Sequence, residues 1–228
     1  MRVDIKNSNR LAETIKILTG QSLDNPITGI TTDSRSCEPG DLYVALTGIR
    51  SNGHQYIKEV QRQNASAALV SESSVNEEIK IKQILVEDTR IALGLIANRW
   101  RKNFDIPIIA ITGSNGKTST KELLNHVLND RYNVHATQGN YNTSIGLPLS
   151  LLEINKYHDI SIIEMGANQP GDIQYLCDIT NPTHGLITNI SSAHLEGFQS
   201  VENILETKGA LFNYLDKGIA YVNYADER

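Results

Sequence analysis

The sequence predicts an α/β chain in two parts: a small amino-terminal α/β domain over residues 1–105, then a mostly parallel domain over residues 106–228 built on a glycine turn. Three observations predict it. Short apolar runs alternate with amphipathic stretches, as strands and their covering helices do. The pattern changes character at "NFDIPIIAITGSNGKT", where a turn at Asp105–Pro107 leads into a continuous apolar run. The stretch "AITGSNGKTST" then sets a glycine turn between that run and an amphipathic helix.

In the first part, "GITTDSR" and "GDLYVAL" are β-like pieces separated by the turn signal Glu38-Pro39-Gly40. "YIKEVQRQNASAALVS" reads as a short helix running into a small-residue strand, and "IKQILVEDTRIALGLIANRWRKNF" as a strand followed by an amphipathic helix. In the second part, strands are expected at 106–112, 133–137, 159–165, 184–190 and 218–223. Helices are expected near 118–130, 144–153, 171–179 and 201–215, the first of them bearing Leu123, Leu124, Val127 and Leu128. In a parallel sheet of this kind ligands sit at the carboxyl ends of the strands. Chemistry should therefore gather at Gly113 to Thr118, Thr137 to Asn142, Glu164 to Asn168 and Asn189 to His194.

Composition bounds the function classes. The chain has 228 residues, 39% hydrophobic and 21% charged, room for one large domain or two modest ones. A net charge of −5 exerts no broad pull on nucleic acid or an anionic membrane, so a phosphate-bearing ligand must be captured by a local site. Cys37 and Cys177 have no paired spacing, and "MRVDIKNSNRLAETIK" lacks an apolar signal core. No apolar run approaches the roughly 18 residues of a membrane span. A cytoplasmic monomer that neither binds nucleic acid nor inserts into membranes is the expectation.

The glycine turn is a candidate phosphate cradle. Gly113 and Gly116 are separated by only Ser114 and Asn115, closer than the glycines of the general phosphate loop. A strand ending in such a turn and opening into a helix aims backbone N–H groups and the positive end of the helix dipole at one anion. Lys117 would add a point charge on terminal phosphates and Thr118 a hydroxyl for Mg2+. The bland alternative is a plain strand-to-helix turn with a solvated lysine.

Three more residues stand where such a site would need them. Glu164 ends "DISIIEMGA"; it either shares Mg2+ with a nucleotide or simply meets water at a strand end. His194 in "NISSAHLEGF" either ligates metal, orients substrate or serves structure. In "SVENILETKGALFNYL", Val201, Ile204, Leu205, Leu211, Phe212 and Leu215 form one stripe with Lys208 in its middle. Such a lysine either snorkels its charge to water or is desolvated. A desolvated neutral amine can react with CO2 to give a carbamate, which can bind Mg2+.

With these residues in view, the chain resembles the Mur ligases of peptidoglycan synthesis. "TTDSRSCEPGDLYVALTGIRSNGHQYI" is similar to that family's UDP-substrate domain, and "AITGSNGKTSTKE" to its shortened phosphate loop. "TQGNYNTSIGLPLSLL", "IIEMGANQPGDI", "ITNISSAHLEGF" and "ETKGALF" are similar to its central-domain signatures, in the same order. The resemblance implies a UDP-substrate-binding domain (1–105) and a phosphate-loop ATP-binding domain (106–228). It implies that Gly113, Ser114, Asn115, Gly116, Lys117, Thr118 and Ser119 hold ATP. Thr118, Glu164, His194 and a carbamylated Lys208 would hold Mg2+, with Lys117, His194 and Lys208 serving catalysis. Ser34, Arg35, Asn52, Gly53 and His54 fall in motifs for the UDP-substrate, or form a polar turn; Asn140 and Asn142 match a substrate-facing turn.

The implied reaction is ATP-dependent joining of D-alanyl-D-alanine to UDP-N-acetylmuramoyl-tripeptide through an acyl phosphate. The members that add the third amino acid share Asp-Ser-Arg and the short loop, but "GNYNTSIGLP" favours the D-alanyl-D-alanine reaction. A noncatalytic nucleotide-binding module is the reading from a different class. Relatives in the family run on into further sequence, so this chain is expected to be a partial, inactive length of such an enzyme, with a hinge near Phe104–Pro107.

Overall fold

The computed structural model describes residues 1–48, 51–73, 78–191, 198 and 200–226. Contacts divide the chain into two compact units, Met1–Trp100 and Arg101–Arg228, each with its own five-stranded sheet among the described residues.

In the first unit β1 (Arg2–Asp4) pairs antiparallel with β2 (Gly29–Thr31), and β3 (Leu42–Val44), β4 (Ala67–Val70) and β5 (Lys82–Leu85) continue the sheet in parallel. Every residue of β2, β3 and β4 is buried, as small and apolar strands covered on both faces require. Between β1 and β2, α1 (Ser8–Thr19) starts where the Asn7 side chain accepts the Arg10 N–H. It ends at Gly20, whose left-handed backbone returns an N–H to the Lys16 carbonyl. α2 (Ile57–Arg62) and α3 (Thr89–Arg101) complete the unit. Asp41 is fully buried, and that is tolerable because Arg2 grips both of its oxygens at 2.8 and 3.0 Å.

One expected strand is cut short. The extended reading of "GITTDSR" holds to Thr31, after which Ser34–Ser36 forms a 3-10 turn. The Asp33 carboxylate accepts the Arg35 N–H at 3.1 Å, offering the backbone a local partner in place of a ladder.

The second unit alternates strand and helix: β6 (Ile108–Thr112), α4 (Lys117–Leu128), β7 (Val134–Ala136), α5 (Gly146–Leu152) and β8 (Ile160–Glu164) come first. α6 (Asp172–Thr180), β9 (His184–Ile187), α7 (Val201–Tyr214) and β10 (Ile219–Tyr221) follow. The order is β10-β9-β6-β8-β7, and every pairing is parallel. β6 is therefore central, and its carboxyl end is flanked by those of β8 and β9, the place where such sheets bind ligands.

Helix α4 lays Leu124 and Leu128 on Ile111, Ala136 and Ile162, whereas Leu123 and Val127 face solvent. Across the sheet, Gly185 lets α7 come close: a Cβ there would lie 2.6 Å from Leu215 and 3.0 Å from Leu211. Near the expected hinge, the Phe104 N–H returns to the Arg101 carbonyl, and the Arg101 guanidinium donates to the Asn181 carbonyl at 3.2 Å. Ser161 N–H in turn donates to the Pro107 carbonyl, so these residues are bonded into the second unit. Among the described residues no helix is long and apolar enough to cross a membrane.

Candidate functional site

The glycine turn is shaped by what lies behind it. Gly113 has φ +145°, and a Cβ there would lie 1.9 Å from Thr188 Oγ1. Only a residue without a side chain fits between β6 and the segment after β9. That segment holds the turn from one side. Ser114 N–H donates to the Asn189 carbonyl (2.8 Å), Asn115 N–H to Asn189 Oδ1 (3.1 Å) and the Thr188 hydroxyl to the Asn115 carbonyl (2.6 Å). Ser114 and Ser191 exchange two bonds, hydroxyl to carbonyl at 3.0 Å and N–H to hydroxyl at 2.9 Å.

The N–H groups of Ser114 and Asn115 are thus used inside the protein. What faces outward is the start of α4, where Gly116 stands at the N-cap with φ +81° and, having no side chain, supplies no cap to the first turn. The opening N–H groups of a helix have no partner within it, so this end is prepared for an anion. Thr118 and Ser119 are exposed there. Lys117 folds its amino group back onto the carbonyls of Gly113 (2.8 Å) and Ser114 (3.3 Å). Burial pushes its pKa down, and the charge of Glu164 partly restores it.

Glu164 closes β8 at 2% exposure. Its N–H donates to Thr137 Oγ1 (3.1 Å), and its Oε1 accepts from Asn142 Nδ2 (2.7 Å). Its Oε2 is buried with no hydrogen-bond partner among the described residues. A buried carboxylate oxygen without a donor is costly, and a divalent cation is the partner its chemistry suits.

Lys208 is 3% exposed, so it does not snorkel. Its Nζ lies 5.9 Å from the Phe198 ring centroid. Burial, and after it the positive charge of Lys117, bring its pKa down to about 8. The charge of Glu164 thus reaches Lys117, and that of Lys117 reaches Lys208. His194 lies outside the described residues. Among the described residues no group of three or more His, Cys, Asp or Glu gathers as a metal cluster.

The turn after β7 is divided in role: Asn140 is exposed, whereas half-buried Asn142 spends its amide on Glu164. A cavity of about 210 Å³ opens beside it, lined by Thr143, Ser144, Gly166, Asn168, Gln169 and Asp172 among others. In the first unit, Ser34 is buried with its hydroxyl on Glu59 (3.3 Å), while exposed Arg35 pairs with Asp33 and holds that carboxyl at about 2. His54 is a staple: its Nε2 accepts the Ser71 N–H at 2.9 Å, so Nδ1 carries the proton donated to Asn52 Oδ1 at 2.7 Å. Gly53 donates to the Leu46 carbonyl at 2.8 Å and would have no room for a side chain beside it.

Sequence reasoning missed Thr188, which nothing in its local pattern distinguishes, and Lys121. The second had a signal: Lys117, Lys121, Leu124 and Leu128 fall on one helix face, the face that packs on the sheet.

Comparison with known proteins sharpens the picture. Residues 111–228 match the Mur ligase middle domain, and residues 26–101 match the Mur ligase family catalytic domain. The UDP-N-acetylmuramoyl-tripeptide–D-alanyl-D-alanine ligase of Escherichia coli is 38% identical over 216 residues, 93% of this chain and 47% of that protein. The protein of the same name from Synechocystis is 44% identical over 191 residues, 84% of this chain and 42% of its own length. Among solved structures, MurF from Acinetobacter baumannii superposes with a TM-score of 0.87 at 35% identity, over 95% of this chain and 49% of that one. MurF from Thermotoga maritima in complex with ADP gives 0.77 at 38% identity, over 84% and 44%. The chain spans about half the length of the curated relatives it matches.

Proposed function

This chain belongs to the Mur ligase family, and from that premise we propose that it binds ATP at Gly113–Ser119 and serves the ATP-dependent joining of D-alanyl-D-alanine to UDP-N-acetylmuramoyl-tripeptide. One observation carries the reading: the start of α4 and the Lys117 amino group stand near a buried Glu164 oxygen that has no hydrogen-bond donor among the described residues. Relatives carrying that ligase name at 38% and 44% identity, and the ADP complex of the Thermotoga maritima protein, support the substrates.

In this reaction the terminal carboxylate of the peptide attacks the γ-phosphorus of ATP and the bond to ADP breaks. The amine of D-alanyl-D-alanine then attacks the acyl carbon of the acyl phosphate, loses a proton and expels inorganic phosphate, leaving the amide. Two anions must meet in the first step, so fixed positive charge is the requirement. Lys117 would exchange its two loop carbonyls for phosphate oxygens. Glu164 Oε2, the Thr118 hydroxyl and a carbamylated Lys208 are the groups of the described chain that would hold Mg2+, with His194 completing them. Bound Mg2+ would neutralise phosphate charge. The UDP-substrate is assigned to the first unit, where Arg35 offers an exposed cation. Ser34, Asn52, Gly53 and His54 act there by holding the turns.

ATP binding by the chain and by Lys117→Ala, followed by calorimetry, tests the site. A loss of about 3 kcal/mol, on the order of a hundredfold in affinity, is expected, and unchanged affinity would remove Lys117 from it. The reaction is tested by ATP-dependent phosphate release from a full-length protein containing this chain. Release with UDP-muramoyl-tripeptide and D-alanyl-D-alanine is expected. Release only with UDP-muramoyl-dipeptide and a diamino acid would reassign the step.

A further inference from the structure

We propose that Lys121 is a positioning residue for the divalent cation of the nucleotide site, acting through Thr137 on Glu164; the inference rests on the reading of that site given above. Lys121 is 1% exposed, among the most buried large side chains of the protein. It lies one helical turn after Lys117 on α4, and its Nζ donates to the Thr137 carbonyl at 2.7 Å. Its other described partner is Glu122, at 2.8 Å, whose own side chain is largely exposed.

Thr137 is where β7 leaves the sheet, just past the last paired residue, Ala136. It is 1% exposed, and each of its polar groups is engaged. The N–H donates to the Ile162 carbonyl at 3.0 Å, the hydroxyl accepts the Glu164 N–H at 3.1 Å, and the carbonyl takes Lys121. From Thr137 the chain turns to Asn142, which grips Glu164 Oε1. The segment 137–142 is thus a bracket on Glu164, touching its backbone at one end and its carboxylate at the other. Lys121 fastens the root of that bracket to the helix whose first turn is to receive phosphate.

Burial of an amino group is a poor way to gain stability. Taking an ammonium out of water is costly, and an apolar side chain of the same length would fill the space without that cost. What the lysine adds is a fixed relation between two elements that must address one ligand: the start of α4, which meets phosphate, and Glu164, which meets the cation. Groups behind a metal ligand that fix its orientation commonly change metal affinity by about 10–100-fold when lost.

The test is ATP binding to the 228-residue chain as Mg2+ is titrated, for wild type, Lys121→Met, Thr137→Val and the double variant, with thermal unfolding of each. For Lys121→Met the Mg2+ concentration giving half-saturation should rise about tenfold, while ATP binding in EDTA and the melting temperature stay near wild type. Thr137→Val should shift the same midpoint, and the double variant should shift it no further than the larger single change, because the two act in series. A folded Lys121→Met with an unmoved Mg2+ midpoint, or with equal losses in Mg2+ and in EDTA, would overturn the proposal, as would additive shifts. If Lys121→Met does not fold, an unmoved midpoint in Thr137→Val overturns it. A wild-type chain that binds no ATP under either condition overturns the underlying site reading and this proposal with it. A wild type that binds MgATP while the variants match it overturns this proposal alone.

Discussion

Lys208 shows how one residue's protonation ties folding to chemistry. Its pKa is near 8 in the folded chain against 10.5 for an ordinary lysine. Above 10.5 the amine is neutral whether the chain is folded or not, and burial carries no charge penalty. As pH falls towards 8 the unfolded state takes up the proton first, so stability declines through this window and levels below it. In CO2-free buffer, urea unfolding of Lys208→Met should lack that slope, gaining about 3 kcal/mol on wild type between the two limits. Parallel pH profiles would show that the Lys208 amino group reaches water. The same depression favours the neutral amine that adds to CO2 and loses a proton. In 13C-bicarbonate a carbamate signal should therefore grow as pH climbs towards 8 in wild type and be absent from Lys208→Met. The sequence left this residue between snorkelling and desolvation for a physical reason. A helical stripe shows which way a side chain points, but not what is packed over it, and here Lys208 is buried with the Phe198 ring beside its amino group.

At the scale of elements, the loop between β6 and α4 has two glycines that matter for different reasons. Gly116 needs its left-handed φ of +81° but has open space around it, so Gly116→Ala should cost about 1 kcal/mol from backbone strain. Gly113 has φ +145° and a Cβ position 1.9 Å from Thr188 Oγ1 and 3.1 Å from the Thr188 backbone nitrogen. Gly113→Ala must therefore displace the bracing segment, at about 3 kcal/mol, and should also weaken ATP binding. Denaturant unfolding of both variants decides it; equal, small losses would mean that the brace yields.

The elements of this unit were legible. The expected strand at 159–165 contains β8 (Ile160–Glu164), and the expected helix at 201–215 contains α7 (Val201–Tyr214), because buried parallel strands and amphipathic helices write long, one-signed patterns. The first unit was less so. β1 is three residues, Arg-Val-Asp, of which only Val3 is buried, too short for a period to show. α1 is announced by its caps, Asn7 and Gly20, more than by its hydrophobicity, since Ile17 and Leu18 face outward. The candidate site residues that the sequence singles out in the second unit stand past strand ends or, for Lys208, in the apolar stripe of a helix. Thr188 and Lys121 act through contacts between elements distant in the chain, which spacing alone does not encode.

For the whole molecule, contacts divide the chain between Trp100 and Arg101, and among the described residues the two sheets share no strand. Each unit has its own buried cluster: Tyr43, Ile57, Val60 and Val70 with their neighbours in the first, Ile111, Ala136 and Ile162 in the second. A cooperative transition follows a shared core, so two cores allow two transitions. The candidate nucleotide groups Gly113–Ser119, Glu164 and Lys208 all lie in Arg101–Arg228, while Arg35 and the turns around His54 lie in Met1–Trp100. A ligand that binds only the folded form of one unit stabilises that unit by RT ln(1 + [L]/Kd), about 2.7 kcal/mol at a hundredfold excess over Kd. Hydrogen exchange under rising denaturant, read peptide by peptide, should then separate the chain into two sets. MgATP should raise the opening free energy of peptides from the second unit by about that amount and leave those around Thr31 and Tyr43 unmoved. A UDP-muramoyl ligand should do the reverse. If both sets rise together with either ligand, the chain opens as a single cooperative block and the division between the two cores has no energetic meaning.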